Sequence, residues 1–453
     1  MKRMAVGLSL VALMAVVRPS PMAAQGFTLY ETGACSLGRS GAGVAAPCAD
    51  GSAVAVNPAG LLDSPRKLSV GGEVIMPSGE FVANRTGFTS ELERNAYPVP
   101  AAFFNRPIGD RFAVGLGVYA PFGLTTEWDA ATAQGRFYAY KTQLGAFNAQ
   151  PTVAAKFGPL MVGAGLTITY LDVRLQRRLD LAGQPVPGQP ITWGQLGVPV
   201  GTAFADGIVE GNAWAFGANV GALLKLHDRI RIGARYMTRQ KFETDDAEAR
   251  FSQVPTGLVV TAGNPLGLPA GTPIDAVVGS AFSSSGPLSR QAVSTAIRLP
   301  EIAVVGIAVK PVLPLTLMVD AQYTNWEVFD QVPLVYEKLG DQSLQQDYVS
   351  TWTYRVGGEY ALGDAHDVRF RAGWIFNEAA TPDDGVRPSL PENERNVFSL
   401  GMGGRIGSGI SGDLGYMYVM QADRNAVGVP QVPDGLYRNF NAHIVALTFS
   451  FDF

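Results

Sequence analysis

The chain reads as an all-β protein, a transmembrane antiparallel β-barrel of about 14 strands with an N-terminal plug, or hatch, inside the lumen. Three observations predict this class. The 453 residues are 47% hydrophobic and only 16% charged, yet they contain no run of 18 apolar residues, so no α-helical span is available. Apolar residues recur at every second position in segments of about ten residues, the period of a strand with one face in lipid and the other on a polar interior. Glycine (53 residues) and aromatic residues (10%) are both abundant, as expected where outward bulk alternates with small inward side chains.

Residues 1–24 predict a secretory signal peptide. Lys2 and Arg3 precede an apolar run from Met4 to Val17, and the small residues Ala23 and Ala24 follow. The apolar run is too short to cross about 30 Å of hydrocarbon. Export is therefore expected, with the bacterial outer membrane as destination.

Residues 25–65 do not alternate. Gly38, Gly41, Gly43, Ala45 and Ala46 make this stretch rich in small residues, and it ends in Asn57-Pro58-Ala59-Gly60-Leu61. A segment that cannot form a strand but precedes a barrel can fold inside it as a plug. Cys35 and Cys48 are the only two cysteines, and both lie here. In an oxidising compartment they predict a disulfide worth about 3 kcal/mol in the chain-entropy model, with a pair of free buried thiols as the alternative.

Residues 66–453 carry the barrel pattern. Leu447, Phe449, Phe451 and Phe453 alternate with Thr448, Ser450 and Asp452; Trp352, Tyr354 and Val356 alternate with Thr353, Arg355 and Gly357. The same rule places strands near 67–81, 99–108, 111–121, 143–157, 160–175, 209–226, 229–243, 295–310, 315–326, 348–362, 367–377, 396–406, 412–421 and 439–453. Short turns such as Gly109-Asp110 and Gly158-Pro159 are expected at the periplasmic end, with the longer links facing outward. Two of those links, 176–208 and 244–294, are unusually apolar and include Trp193, Phe204, Leu258 and Phe282. They predict either a surface groove for a ligand or two loops packed on each other as a cap.

Arg229, Arg231, Arg235, Arg239 and Lys241 fall on alternate positions, which predicts five positive charges on one face. A lipid-facing arginine near the midplane costs roughly 2–4 kcal/mol, so that face must look into the lumen. There the charges either attract an anionic head group or pair with Glu73, Glu301, Asp320 and Glu359.

The Asn57-Pro58-Ala59-Gly60 motif, the stretch Val118-Tyr119-Ala120-Pro121-Phe122-Gly123-Leu124 with Glu127-Trp128, and the terminal Phe453 together resemble the outer-membrane long-chain fatty acid and aromatic hydrocarbon transporter family (FadL-like). The resemblance implies a hatch that blocks the pore, and a gap in the wall at the third strand through which hydrophobic cargo leaves sideways. Pro121 has no N–H for a neighbouring strand and Gly123 weakens pairing further, so the ladder should break there; a simple strand end at Pro121 is the alternative. A break inside lipid needs cover, for which Asn57, Pro58 and Ala59 are the candidates. By the same resemblance Phe27 reaches a ligand pocket, the apolar loops form a collecting groove, and the terminal phenylalanine is read by the barrel-assembly machinery.

The expected partners are a hydrophobic small molecule, fatty acid or hydrocarbon, and outer-membrane lipid, with the chain acting as a monomer. A net charge of −4 argues against nucleic acid. No metal-ligand cluster, cofactor motif or catalytic constellation is recognisable; the three histidines have no nucleophile in prospect. An open porin for polar solutes is the competing function, and a barrel enzyme or purely structural barrel comes last.

Overall fold

The computed structural model describes residues 27–29, 32–186, 189–264, 266–363, 368–382 and 385–453; the expected signal peptide and His366 lie outside the described residues. Fourteen antiparallel strands form a closed wall. They are β1 (Lys67–Ala83), β2 (Tyr97–Ile108), β3 (Phe112–Glu127), β4 (Lys141–Phe157), β5 (Leu160–Asp180) and β6 (Ala203–His227). Next come β7 (Ile230–Met237 and Gln240–Gln253), β8 (Gln291–Leu299 and Ile302–Val312), β9 (Leu315–Thr324) and β10 (Thr351–Leu362). The wall ends with β11 (Val368–Asn377), β12 (Arg395–Gly407), β13 (Ile410–Gln421) and β14 (Gly435–Asp452). The seam closes where β1 pairs with β14, from Lys67 opposite Asp452 to Ala83 opposite Gly435. Closure at the seam leaves neither β1 nor β14 with a free edge in lipid.

The period-two reading holds along the wall. Phe449, Phe451, Trp352, Tyr354, Phe398 and Leu400 are exposed on the outer surface, whereas Thr448, Ser450, Thr353 and Arg355 are buried inside. Outward aromatics meet in pairs, Tyr170 with Trp214 at 5.0 Å and Tyr323 with Trp352 at 5.4 Å between ring centres. Such rings suit the boundary between hydrocarbon and water.

Several strands run beyond their expected ends. β5, β6 and β7 continue past the apolar alternation, their extensions joined by Arg174 to Glu210 at 2.7 Å and by Arg250 to Glu210. Above the membrane the outer face meets water while the inner face packs under the outer loops, as at Ala205 and Ala249, so the ladder persists where the outward apolar signal stops.

The five-charge ladder is a correction. β7 is interrupted at Thr238 and Arg239, and the interruption reverses which parity faces inward. Gly233 and Met237 face inward before it, Gln240 and Phe242 after it. Arg231 and Arg235 thus remain on the inner face, whereas Arg239 and Lys241 turn outward and pair with Glu301 and Glu243.

Ahead of β1, residues 32–65 form two single-turn helices, Ala34–Leu37 and Ala53–Val56, and the 3₁₀ turn Pro58–Asp63. This segment packs on the inner face of the wall and is hydrogen-bonded around the ring. Asn105 of β2 donates to the Ser64 carbonyl (2.9 Å), Gln150 of β4 to that of Val54 (2.6 Å), and Asn219 of β6 to that of Ala55 (3.2 Å). Asp320 of β9 accepts from the Gly43 and Val44 amides at 2.7 and 3.0 Å, and Thr448 of β14 accepts from Ala34. Cys35 and Cys48 are joined by a disulfide, with Cα atoms 6.3 Å apart.

Glycines on the wall give this segment room. A Cβ on Gly357 of β10 would lie 2.7 Å from the Arg39 carbonyl oxygen, and one on Gly401 of β12 would lie 2.8 Å from the Gly38 Cα. Those inner positions have to stay bare for the segment to seat.

Candidate functional site

The wall ladder is interrupted between β6 and β7, which pair up to Asn219 opposite Met237 and again from Glu210 opposite Glu248, and it is interrupted by strands that part between β2 and β3. These strands pair from Ile108 opposite Phe112 only as far as Ala102 opposite Val118. Above that point β2 still pairs with β1 up to Ile75 opposite Tyr97, and β3 still pairs with β4 up to Glu127 opposite Lys141. The two strands part while each keeps its other neighbour. Pro121 explains the departure: the β3–β4 register shifts between Tyr119 and Phe122, so one extra residue bends β3. Because β3 continues to Glu127, Pro121 is not a strand end. On the facing strand Pro98 and Pro100 supply no N–H, which suits an edge that finds no partner.

The freed edge of β3 is paired from inside. The Leu29 amide donates to the Pro121 carbonyl and the Gly123 amide to the Phe27 carbonyl, both at 3.0 Å, making a bridge between Thr28 and Phe122. Residues 27–29 therefore stand where β2 would have stood. This corrects the expected cover. Asn57 instead binds the Val44 carbonyl (2.7 Å) and the Ala222 carbonyl of β6 (3.1 Å), while a Cβ on Gly163 of β5 would meet the Pro58–Ala59 peptide. Pro58 occupies the first position of its 3₁₀ turn and Asn57 caps it through the Ala59 amide, so the motif is committed to making that turn against β5 and β6.

Two cavities meet at Phe27. One, about 120 Å³, lies in the upper lumen and is lined almost wholly by apolar side chains, among them Leu171, Val173, Phe242, Ile297, Val332 and Leu344. The other, about 400 Å³, reaches the parted wall, where Tyr97, Val99, Ala120, Gly123 and the lipid-exposed Phe147 border it. Phe27, Leu124, Leu144 and Leu390 line both. The Phe27 ring lies 4.8 Å from Trp326, 5.3 Å from Phe329 and 6.1 Å from Phe122, an aromatic partition between the two spaces.

Neither Arg231 nor Arg235 lines these two cavities. Arg231 is ion-paired to Asp63 at 2.5 Å, beside the disulfide-bearing part of the segment. Arg235 donates to Asn219 at 2.9 Å in a small polar space shared with Tyr119 and Pro121. The outer loops also settle between their two readings. Trp193 and Phe204 are 2% and 4% exposed, and Leu258 and Phe282 pack on the same cluster, so the loops form a joint cap instead of an open groove.

Residues unmarked in the sequence reading complete the site. The link between β11 and β12 folds inward, with Trp128 donating to the Pro388 carbonyl (3.0 Å) and Thr126 to that of Ser389 (2.9 Å), and it delivers Leu390 to both cavities. The Pro-x-Pro of β2 was the one available sign of where the gap's second edge lies.

Residues 15–453 match the model of the family described as outer membrane protein transport protein (OMPP1/FadL/TodX). The chain is 25% identical over 445 residues to outer membrane protein P1 of Haemophilus influenzae (91% of this chain, 89% of that one). It is 28% identical over 415 residues to the long-chain fatty acid transport protein of Escherichia coli K12, covering 87% of each. Among solved structures, a Pseudomonas aeruginosa FadL homologue shares the fold with a TM-score of 0.77 at 21% identity, over 95% of this chain and all (100%) of that one. The Ralstonia pickettii toluene transporter TbuX gives 0.65 at 19% identity, over 94% and 99%. The chain belongs to the OMPP1/FadL/TodX family of outer-membrane transport proteins.

Proposed function

We propose that this protein takes up hydrophobic molecules, long-chain fatty acids or hydrocarbons of similar shape, and releases them sideways into the membrane between β2 and β3. The observation that carries this reading is the passage from the capped, apolar upper lumen, past Phe27, to a mainly apolar cavity bordered by the parted strands. Such a lining suits cargo that leaves water and then enters lipid without crossing a polar pore. The relatives bearing names of this kind carry long-chain fatty acids or toluene. In this reading residues 27–65 act as the plug, with Phe27 to Leu29 as the inner side of the door, and cargo enters beneath the loop cap. The chain itself performs no chemistry; it offers a route and lets partition into lipid drive release.

A general solute channel is the second reading. The ring of hydrogen bonds that ties residues 34–65 to β2, β4, β6, β9 and β14 weighs against a permanently open lumen. Uptake of labelled oleate by cells lacking other fatty acid transporters tests the proposal. Ala120→Trp combined with Gly123→Trp should fill the gap and lower uptake at least tenfold, while the barrel stays folded by its heat-dependent gel mobility. Uptake at the unmodified level in that variant sinks the sideways route.

A further inference from the structure

The cavity at the parted wall is amphipathic, and its polar end has a specific composition. Asn377 of β11 lies opposite Arg395 of β12, which lies opposite Gln421 of β13, so the three side chains form one row on the inner face. All three line the cavity of about 400 Å³. Two residues along, the same strands present Val397 and Val419, and Met417, Ile444 and Ile75 extend this apolar floor. The polar row therefore borders a greasy surface within one space.

Asn377 is fully buried, and among the described residues neither its Nδ2 nor its Oδ1 has a hydrogen-bond partner. A buried amide left so is costly unless something else answers it. Its neighbours are held in place. Arg395 Nε donates to Gln421 Oε1 at 3.2 Å, and Gln421 Nε2 donates to the Pro391 carbonyl at 2.7 Å. A guanidinium beside an amide N–H offers fixed, charge-assisted donors in the arrangement that a carboxylate accepts.

Resting on the uptake reading above, we propose that Asn377, Arg395 and Gln421 form a head-group subsite for a single-chain carboxylate whose tail lies along Val397, Val419 and Phe122. Bound this way, the head is held opposite the opening while the tail lies toward the parted strands. The subsite distinguishes a fatty acid from a bare hydrocarbon of the same length.

Equilibrium binding to the full-length protein in lipid nanodiscs tests this with three probes of equal chain length: oleate, oleyl alcohol and 1-oleoyl lysophosphatidate. The unmodified protein should bind oleate most tightly. Arg395→Gln should weaken oleate about tenfold, or about 1.4 kcal/mol, with oleyl alcohol unchanged within twofold; Arg395→Lys should recover part of the loss. Asn377→Leu should lower oleate affinity in the same sense and leave the alcohol unaffected, which also reports that the barrel is intact. Equal losses for oleate and alcohol, or none for either, overturn the subsite while the uptake reading stands. Tighter binding of the lysophosphatidate overturns the carboxylate assignment in favour of a lipid phosphate. If the unmodified protein binds none of the probes, the uptake reading itself fails and the subsite with it.

Discussion

β5 and β6 remain paired along their whole height, from Leu160 opposite Leu224 to Asp180 opposite Ala203, whereas β2 and β3 part at Ala102 and Val118. Both regions face the same lipid, and both have the N-terminal segment on their inner side. They differ in backbone donors. β5 and β6 contain no proline, while the divergent stretch carries Pro98, Pro100 and Pro121. Where the wall is continuous, the segment is held by wall side chains and seated on bare glycines, as at Gln150, Asp320 and Gly221. Where the wall parts, it contributes backbone and becomes the missing strand. A barrel can thus be opened locally in lipid, provided the orphaned edge is answered from within.

The largest effect that tests this contrast is expected from Phe27→Ala. Removing a ring packed among Trp326, Phe329 and Phe122 should weaken the seating of residues 27–29 by about 3–5 kcal/mol. Hydrogen exchange should then accelerate at the Gly123 amide and stay slow at the amide of Ala215 on β6, which lies opposite Thr169 of β5; equal rates at both sites would remove the distinction between the two walls. Next comes the disulfide. Cys35→Ser with Cys48→Ser should cost the N-terminal segment about 3 kcal/mol, seen as earlier protease cutting within residues 34–65 while the β5–β6 ladder is unaffected.

A smaller free energy, but a direct functional one, attaches to mending the ladder. Deleting Pro121 and replacing Pro98 and Pro100 by threonine should extend β2–β3 pairing and slow uptake about tenfold, equivalent to ~1.4 kcal/mol of barrier. Full uptake with a mended ladder would assign release to another route. The smallest effect is expected from Arg231→Gln. Its pair with Asp63 is partly exposed, so stability should fall by less than about 1 kcal/mol and oleate uptake should not change. A large uptake defect there would return Arg231 to the cargo path.

The amino-acid pattern announces the barrel because lipid acts on each strand separately and marks it with period two. Pro121 announces the irregularity for a similarly local reason: a missing N–H is a property of one residue. The identity of the cover was not available in advance. Leu29 and Phe27 reach β3 through main-chain groups that every residue possesses, so nothing in their side chains points there. The arginine ladder misled because a two-residue interruption at Thr238 and Arg239 reverses the inward parity, and a strict alternation cannot sense it. The outer loops carried a clear apolar signal, but whether Trp193 and Phe282 face water or each other depends on how two distant links meet.

The seam between β1 and β14 encloses residues that come earlier in the chain than any wall strand. Once those strands zip together, the interior can be reached only by tearing hydrogen bonds or threading from an end. The inner segment, tied to β2, β4, β6, β9 and β14, is therefore expected to seat while the ring is still open, which avoids threading it through a finished barrel. Assembly thus has a built-in chronology, with the contents fixed before the container is sealed.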